Sequence, residues 1–151
     1  MIIKSLDHLR LISNKIAGKI SVKDCIFLIG EIGVGKTTFT RNFINYLQKK
    51  KDVEETEVLS PTFNLLYEYG IKNLKVMHYD LYRIKNKKEL DQLGIFKEET
   101  DTIKIIEWPE LIELNAPNRL EIHLNYSNKE NERELTLKGY GKWKDINKNE
   151  L

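Results

Sequence analysis

Apolar positions along the chain change period several times, and each change marks an element. Leu6, Leu9, Ile12 and Ile16 recur at helical spacing behind Ser5, so residues 5 to 18 are read as an amphipathic helix ended by Gly18. The run CIFLI at 25 to 29 is apolar throughout, the pattern of a strand buried on both faces of a parallel sheet. Phe39, Phe43 and Leu47 mark one face of a second helix from about residue 36 to 50, and KKKDVEETE is its surface connection. FNLLYEYG and LKVMHYD are strand-like runs separated by a few residues including Gly70 and Asn73, which predicts a hairpin.

Asn86, with Glu89 three residues later, can cap a short helix through about residue 93. IKIIEW is a second buried strand, and PELIEL starts a helix at Pro109. LEIHLNY alternates Leu120, Ile122, Leu124 and Tyr126, and RELTLKG repeats the alternation with Leu135 and Leu137, as half-buried antiparallel strands do. The tail from Tyr140 is polar and is expected to be short helix or coil, loosely packed. A length of 151 residues suits one domain over 1–151, which buries about two-thirds of its unfolded surface without staples.

Composition narrows the class. Net charge is +2 although 32% of residues are charged, too weak an excess to argue for tight nucleic-acid binding. Lys49, Lys50 and Lys51 read as a solvated helix end. No apolar run reaches the roughly 18 residues of a membrane span, and the amino terminus lacks a signal-peptide core, so the expectation is a soluble cytoplasmic protein with no membrane partner. The single Cys25 cannot pair within the chain, which suits a reducing compartment and a core thiol.

The strongest chemical signal lies between the first strand and the second helix. Gly30-Glu31-Ile32-Gly33-Val34-Gly35-Lys36-Thr37 fits G-x-x-x-x-G-K-[ST] in the strand and helix context that phosphate binding requires. The glycines let successive N–H groups turn inward, and the helix start adds its unpaired amides and positive dipole end. That dipole supplies only about 0.3–2 kcal/mol towards an anion, so Lys36 and a metal must supply the rest for a triphosphate. Ile32, Gly33, Val34, Gly35, Lys36, Thr37 and Thr38 are the expected ATP contacts, with Thr37 as a ligand of Mg²⁺. The string Asn86-Lys87-Lys88-Glu89 lacks the final aspartate of a guanine-reading N-K-x-D, which leaves adenine as the expected base.

Ligands of open α/β sheets bind beyond the carboxyl ends of the strands, so an acid ending an apolar run is the next candidate. Glu107 ends IKIIE and Asp80 ends KVMHY; Glu68 lies inside a strand pattern and is read as solvent-facing. Thr62, in Ser60-Pro61-Thr62-Phe63, is either a switch residue that reaches metal or water or part of an ordinary turn. His8, His78 and His123 show no ligand spacing and are assigned to helix surface or strand faces. Pro109 disfavours helical geometry at Trp108, so the chain is expected to stay extended past Glu107, with Trp108 a wall of the site or plain core.

GEIGVGKTT at 30–38, SPTFNLLYEY at 60–69, HYDLYR at 78–83, ELDQLGI at 89–95 and IIEWPE at 105–110 together resemble the TsaE (YjeE) family, in that family's order. The resemblance implies an α/β, P-loop NTPase-like fold, a mostly parallel sheet flanked by helices with added antiparallel strands. It implies ATP and Mg²⁺ as cofactors, Thr37 and Glu107 as metal ligands, and Asp80 as an acid important for activity beside Lys36. Arg133 is similar to a late-strand arginine that approaches the nucleotide, with Glu132 where a glycine is usual, and Leu9 stands where relatives carry a threonine near the base. The resemblance also implies TsaD and TsaB homologues as partners, with tRNA met only through that complex, in forming threonylcarbamoyladenosine at position 37. In-line attack of water on the γ-phosphate, with Asp80 positioning the water or a metal-bound water, is the expected chemistry. No arginine finger lies in the motifs, so hydrolysis by the chain alone is expected to be slow. The rival readings are a small metabolite kinase and an adaptor that senses ATP without hydrolysing it.

Overall fold

The computed structural model describes residues 1–111, 113 and 116–146. In chain order these form β1 (Ile2–Ile3), α1 (Leu6–Lys19), β2 (Cys25–Ile29), α2 (Lys36–Lys50), β3 (Leu66–Ile71), β4 (Leu74–Asp80), α3 (Lys87–Gln92), β5 (Thr102–Glu107), β6 (Arg119–Tyr126) and β7 (Arg133–Tyr140). Short 3-10 turns cover Pro109–Leu111 and Gly141–Trp143. Of the helix expected from Pro109 only this turn is seen; residues 112, 114 and 115 lie outside the described ones.

The strands make one sheet in the order β1-β7-β6-β2-β5-β4-β3. Its centre is parallel, with β2 between β5 and β6 and β4 beyond β5. Antiparallel pairs β6–β7 and β1–β7 extend one side, and the β3–β4 hairpin closes the other. This is the α/β, mostly parallel arrangement that the periodicity and the motifs predict.

Both faces of the central strands are covered, so CIFLI is apolar throughout and every residue of TIKIIE except Lys104 is buried. Ile26, Leu28, Ile103 and Ile105 face α1 and α2, where Ile12, Ile16, Phe39 and Phe43 are fully buried. Cys25, Phe27, Tyr79 and Ile106 face the opposite layer, closed by Leu90 of α3 and by Ile84 and Ile95. Each large side chain removed from water contributes about 1.5–3 kcal/mol.

Local signals act largely as read. The Ser5 hydroxyl accepts from the His8 N–H to start α1, and at the start of α3 Asn86 Oδ1 accepts from the Glu89 N–H while the Glu89 carboxylate accepts from the Lys85 N–H and the Asn86 side-chain amide. Gly18 does not end α1, which runs on to Lys19. A Cβ there would come 3.3 Å from the Tyr46 hydroxyl, so the glycine serves the close approach of α1 to α2. The tail also differs from a loosely packed coil as far as residue 146: Trp143 is buried, and Lys142 pairs with the buried Asp24 carboxylate. Residues 147–151 lie outside the described ones.

Candidate phosphate-binding site

The loop after β2 must turn sharply back towards α2, and its glycines make this possible. Gly30 has φ +149°, and a Cβ on it would stand 2.1 Å from the Leu124 carbonyl oxygen, so β6 leaves no room for a side chain. Gly35, at φ 120°, is the N-cap of α2. No side chain caps that helix start and no acid lies in its first turn, which leaves its amides and positive dipole end free for an anion. The residues fit a phosphate group in that respect.

Lys36 opens α2 and is buried. Its Nζ donates to the carbonyls of Gly30 at 2.7 Å and Glu31 at 2.9 Å, and lies 4.3 Å from the centre of the Trp108 ring. Burial pushes its ammonium below the ordinary lysine range, opposed by the charges of Glu107, Asp80 and Glu110. A cation held by neutral carbonyls and a ring gains from any anion that reaches it.

Two carboxylates meet this lysine because the register brings their strands level: Asp80 of β4 is paired with Glu107 of β5, and Glu107 with Leu28 of β2. Glu107 Oε1 accepts from the Thr37 hydroxyl at 3.3 Å and lies 2.8 Å from His78 Nε2. Asp80 accepts from the Tyr82 N–H at 3.0 Å through one oxygen. Its other oxygen accepts from the Thr62 hydroxyl at 2.7 Å and sits 3.5 Å from that of Ser60. The SPTF turn is therefore tied to the end of β4.

These groups enclose a cavity of about 240 Å³, lined by Ile32, Gly33 and Gly35 to Thr38 of the loop and helix start, by Ser60 and Thr62, and by Asp80, Tyr82, Glu107 and Trp108. Val34 is not among the lining residues; it is buried and its side chain enters the core under α1 and α2. Leu9 is also core, where the family resemblance puts a threonine near the base. Arg133 does not line the cavity either. Its guanidinium donates to the carbonyls of Glu130 and Glu132 and stacks 4.5 Å over Tyr126, whose hydroxyl donates to the Ile32 carbonyl at 2.8 Å. Arg133 thus reaches the loop through Tyr126.

Trp108 departs from the extended geometry expected before Pro109. Its φ is +58°, in the left-handed region, which costs a bulky residue about 1–3 kcal/mol. The proline closes the right-handed helical region, and the Trp108 N–H still donates to the Leu28 carbonyl at 3.3 Å before the chain turns. The turn lays the ring over Lys36 and against Tyr82, ring centres 4.9 Å apart, and those contacts offset the strain.

Sequence reasoning placed His78 on a strand face; the structure puts that face inwards. His78 is fully buried, and its Nδ1 has no hydrogen-bond partner. A buried polar atom left without a partner costs about 1–3 kcal/mol. Only the register of β4 on β5 reveals the contact with Glu107. Glu68 is exposed and pairs with Lys75, as its strand position implies.

Among the described residues no group of three His, Cys, Asp or Glu side chains could hold a metal alone. The available donors are oxygens from Thr37, Glu107 and Asp80. That set fits Mg²⁺, which keeps several waters and is bound through one or two carboxylates together with phosphates.

Comparison with known proteins bears on the family and the fold. The family model "Threonylcarbamoyl adenosine biosynthesis protein TsaE" matches residues 3–135. A Rickettsia conorii tRNA threonylcarbamoyladenosine biosynthesis protein TsaE is 35% identical over 123 residues, covering 81% of this chain and 68% of the relative. Its Bacillus subtilis counterpart is 34% identical over 120 residues, covering 78% and 71%. The crystal structure of Bacillus subtilis YdiB superposes with a TM-score of 0.69 at 26% identity, covering 94% of this chain and 85% of that one. With its P-loop, its carboxylates at the strand ends and this breadth of match, the chain belongs to the TsaE family.

Proposed function

We propose that this chain binds ATP with Mg²⁺ in the cavity under the loop, hydrolyses it, and acts as an accessory protein in forming threonylcarbamoyladenosine at position 37 of tRNA. In this reading it works with TsaD and TsaB homologues and meets tRNA only through them, in the cytoplasm. The family and the names of its relatives support the pathway. The observation that carries the chemistry is the meeting of Lys36, Thr37, Asp80 and Glu107 at one cavity, below a helix start with no acid of its own.

The amides of Gly33 to Thr38 and Lys36 bind and orient the phosphates, and Lys36 exchanges its carbonyl partners for phosphate oxygens. Thr37 and Glu107 hold Mg²⁺, which neutralises phosphate charge when bound. Asp80 orients the attacking water, whose oxygen bonds to the γ-phosphorus as the bond to the bridging oxygen breaks and whose proton passes to a phosphate oxygen, giving ADP and phosphate. Thr62 holds Asp80 in place until the nucleotide competes for it. Trp108 and Tyr82 wall the site from solvent. Lys36 is the only Lys or Arg side chain lining the cavity among the described residues, so the chain alone turns over slowly and a partner completes the site.

The test is tRNA modification in a bacterium depleted of its own TsaE relative. The unsubstituted chain restores threonylcarbamoyladenosine, whereas Lys36→Ala and Asp80→Ala do not. Restoration by both variants overturns the reading in favour of an adaptor without useful hydrolysis.

A further inference from the structure

His78 takes no part in the phosphate chemistry just described, yet it is as buried as any residue of the core. It lies on β4 between Tyr67 of β3 and Ile105 of β5, with its ring reaching along the sheet to Glu107. A carboxylate oxygen accepts, so the 2.8 Å contact places a proton on Nε2, while Nδ1 has no hydrogen-bond partner. Thr37 also donates to Oε1. The two donors approach one oxygen from different elements, one from α2 and one from β4, while the carboxyl lines the cavity.

We propose that His78 is a positioning residue: through Nε2–H it fixes the orientation of the Glu107 carboxylate, and so presents that carboxylate to a magnesium–nucleotide complex. This rests on the ATP reading above. Glutamate is a long side chain to place at a strand end, with more rotamers to lose than aspartate, and Thr37 at 3.3 Å holds it only weakly. A buried imidazole that leaves one nitrogen unsatisfied in order to reach Glu107 supplies the missing constraint, as outer partners of metal-binding carboxylates do.

The experiment compares binding of a non-hydrolysable ATP analogue with Mg²⁺ and with EDTA, by calorimetry, for the unsubstituted chain, His78→Leu and His78→Gln. His78→Leu should lose about 10-fold or more of the affinity measured with Mg²⁺ and none of that measured in EDTA, whereas His78→Gln, which keeps an N–H donor, should stay within about 3-fold. Equal losses with and without Mg²⁺, equal losses in both variants, or no loss in His78→Leu overturns the proposal. A second measurement needs no variant at His78: long-range ¹⁵N–¹H spectra of the unsubstituted chain should show a proton on Nε2, and a ring protonated on Nδ1 alone overturns the proposal even where His78→Leu fails to fold. If the unsubstituted chain binds the analogue no better with Mg²⁺, the magnesium–ATP reading fails and the proposal falls with it. If it does bind better and only the His78 comparison fails, that reading stands.

Discussion

Replacing Thr62 by valine keeps the shape of the side chain and removes one donor, so it isolates the tie between the SPTF turn and β4. The Thr62 hydroxyl donates to Asp80 Oδ2 at 2.7 Å, a short bond to a carboxylate that is only 3% exposed. A hydrogen bond to a charged group contributes about 1.5–3 kcal/mol when both ends are dry. Thr62 is only half-buried, and Ser60 stands 3.5 Å from the same oxygen, so water and Ser60 recover part of the loss. The expected cost is about 1 kcal/mol, which for a chain of this size lowers Tm by about 2–4 °C. Thermal unfolding followed by circular dichroism, without nucleotide, measures it, with Thr62→Ser as the control that restores the donor. An unchanged Tm in Thr62→Val, or an equal fall in Thr62→Ser, refutes the claim that this hydroxyl anchors the turn.

Gly30→Ala should lower stability by about 2 kcal/mol or more and weaken nucleotide binding, because the new Cβ would stand 2.1 Å from the Leu124 carbonyl; denaturant unfolding and calorimetry check both. Burial pushes the Cys25 thiol from 9.0 up to about 12, so above pH 9 the unfolded chain loses a proton that the folded chain keeps. Stability therefore falls between those values, by about 1.4 kcal/mol from this group between about pH 8 and pH 10; urea midpoints should fall less steeply in Cys25→Ala. In a Trp143→Phe background, ATP should change the emission of Trp108 by drawing Lys36 off its ring, and Lys36→Met should abolish the change.

What the sequence made legible was local. The loop, its strand and its helix are neighbours in the chain, so spacing alone named Lys36 and Thr37. Glu107 and Asp80 each end an apolar run, which placed both at the carboxyl edge of a sheet before their mutual register was known. His78 could not be read this way, since its meaning depends on β4 lying parallel to β5 across 29 residues of sequence. β1 has only two residues, too few for any period to show. Tyr126 continues the inward alternation of β6 yet is 46% exposed, because the strand has outrun the core there and the ring bends over to the loop at Ile32. Trp108 was misread because proline forbids one conformation of its predecessor without choosing between the remaining two.

The central claim is that Lys36, Thr37, Asp80 and Glu107 form a magnesium–ATP site that a partner completes. Its most direct test is the rate of phosphate release from ATP, measured with and without Mg²⁺, before and after adding TsaB and TsaD homologues. The account predicts slow release by the chain alone, a clear rise when both partners are present, and loss of both activities in Lys36→Ala and when Mg²⁺ is removed. Release at tens per second by the chain alone, or release that persists in Lys36→Ala, would contradict it.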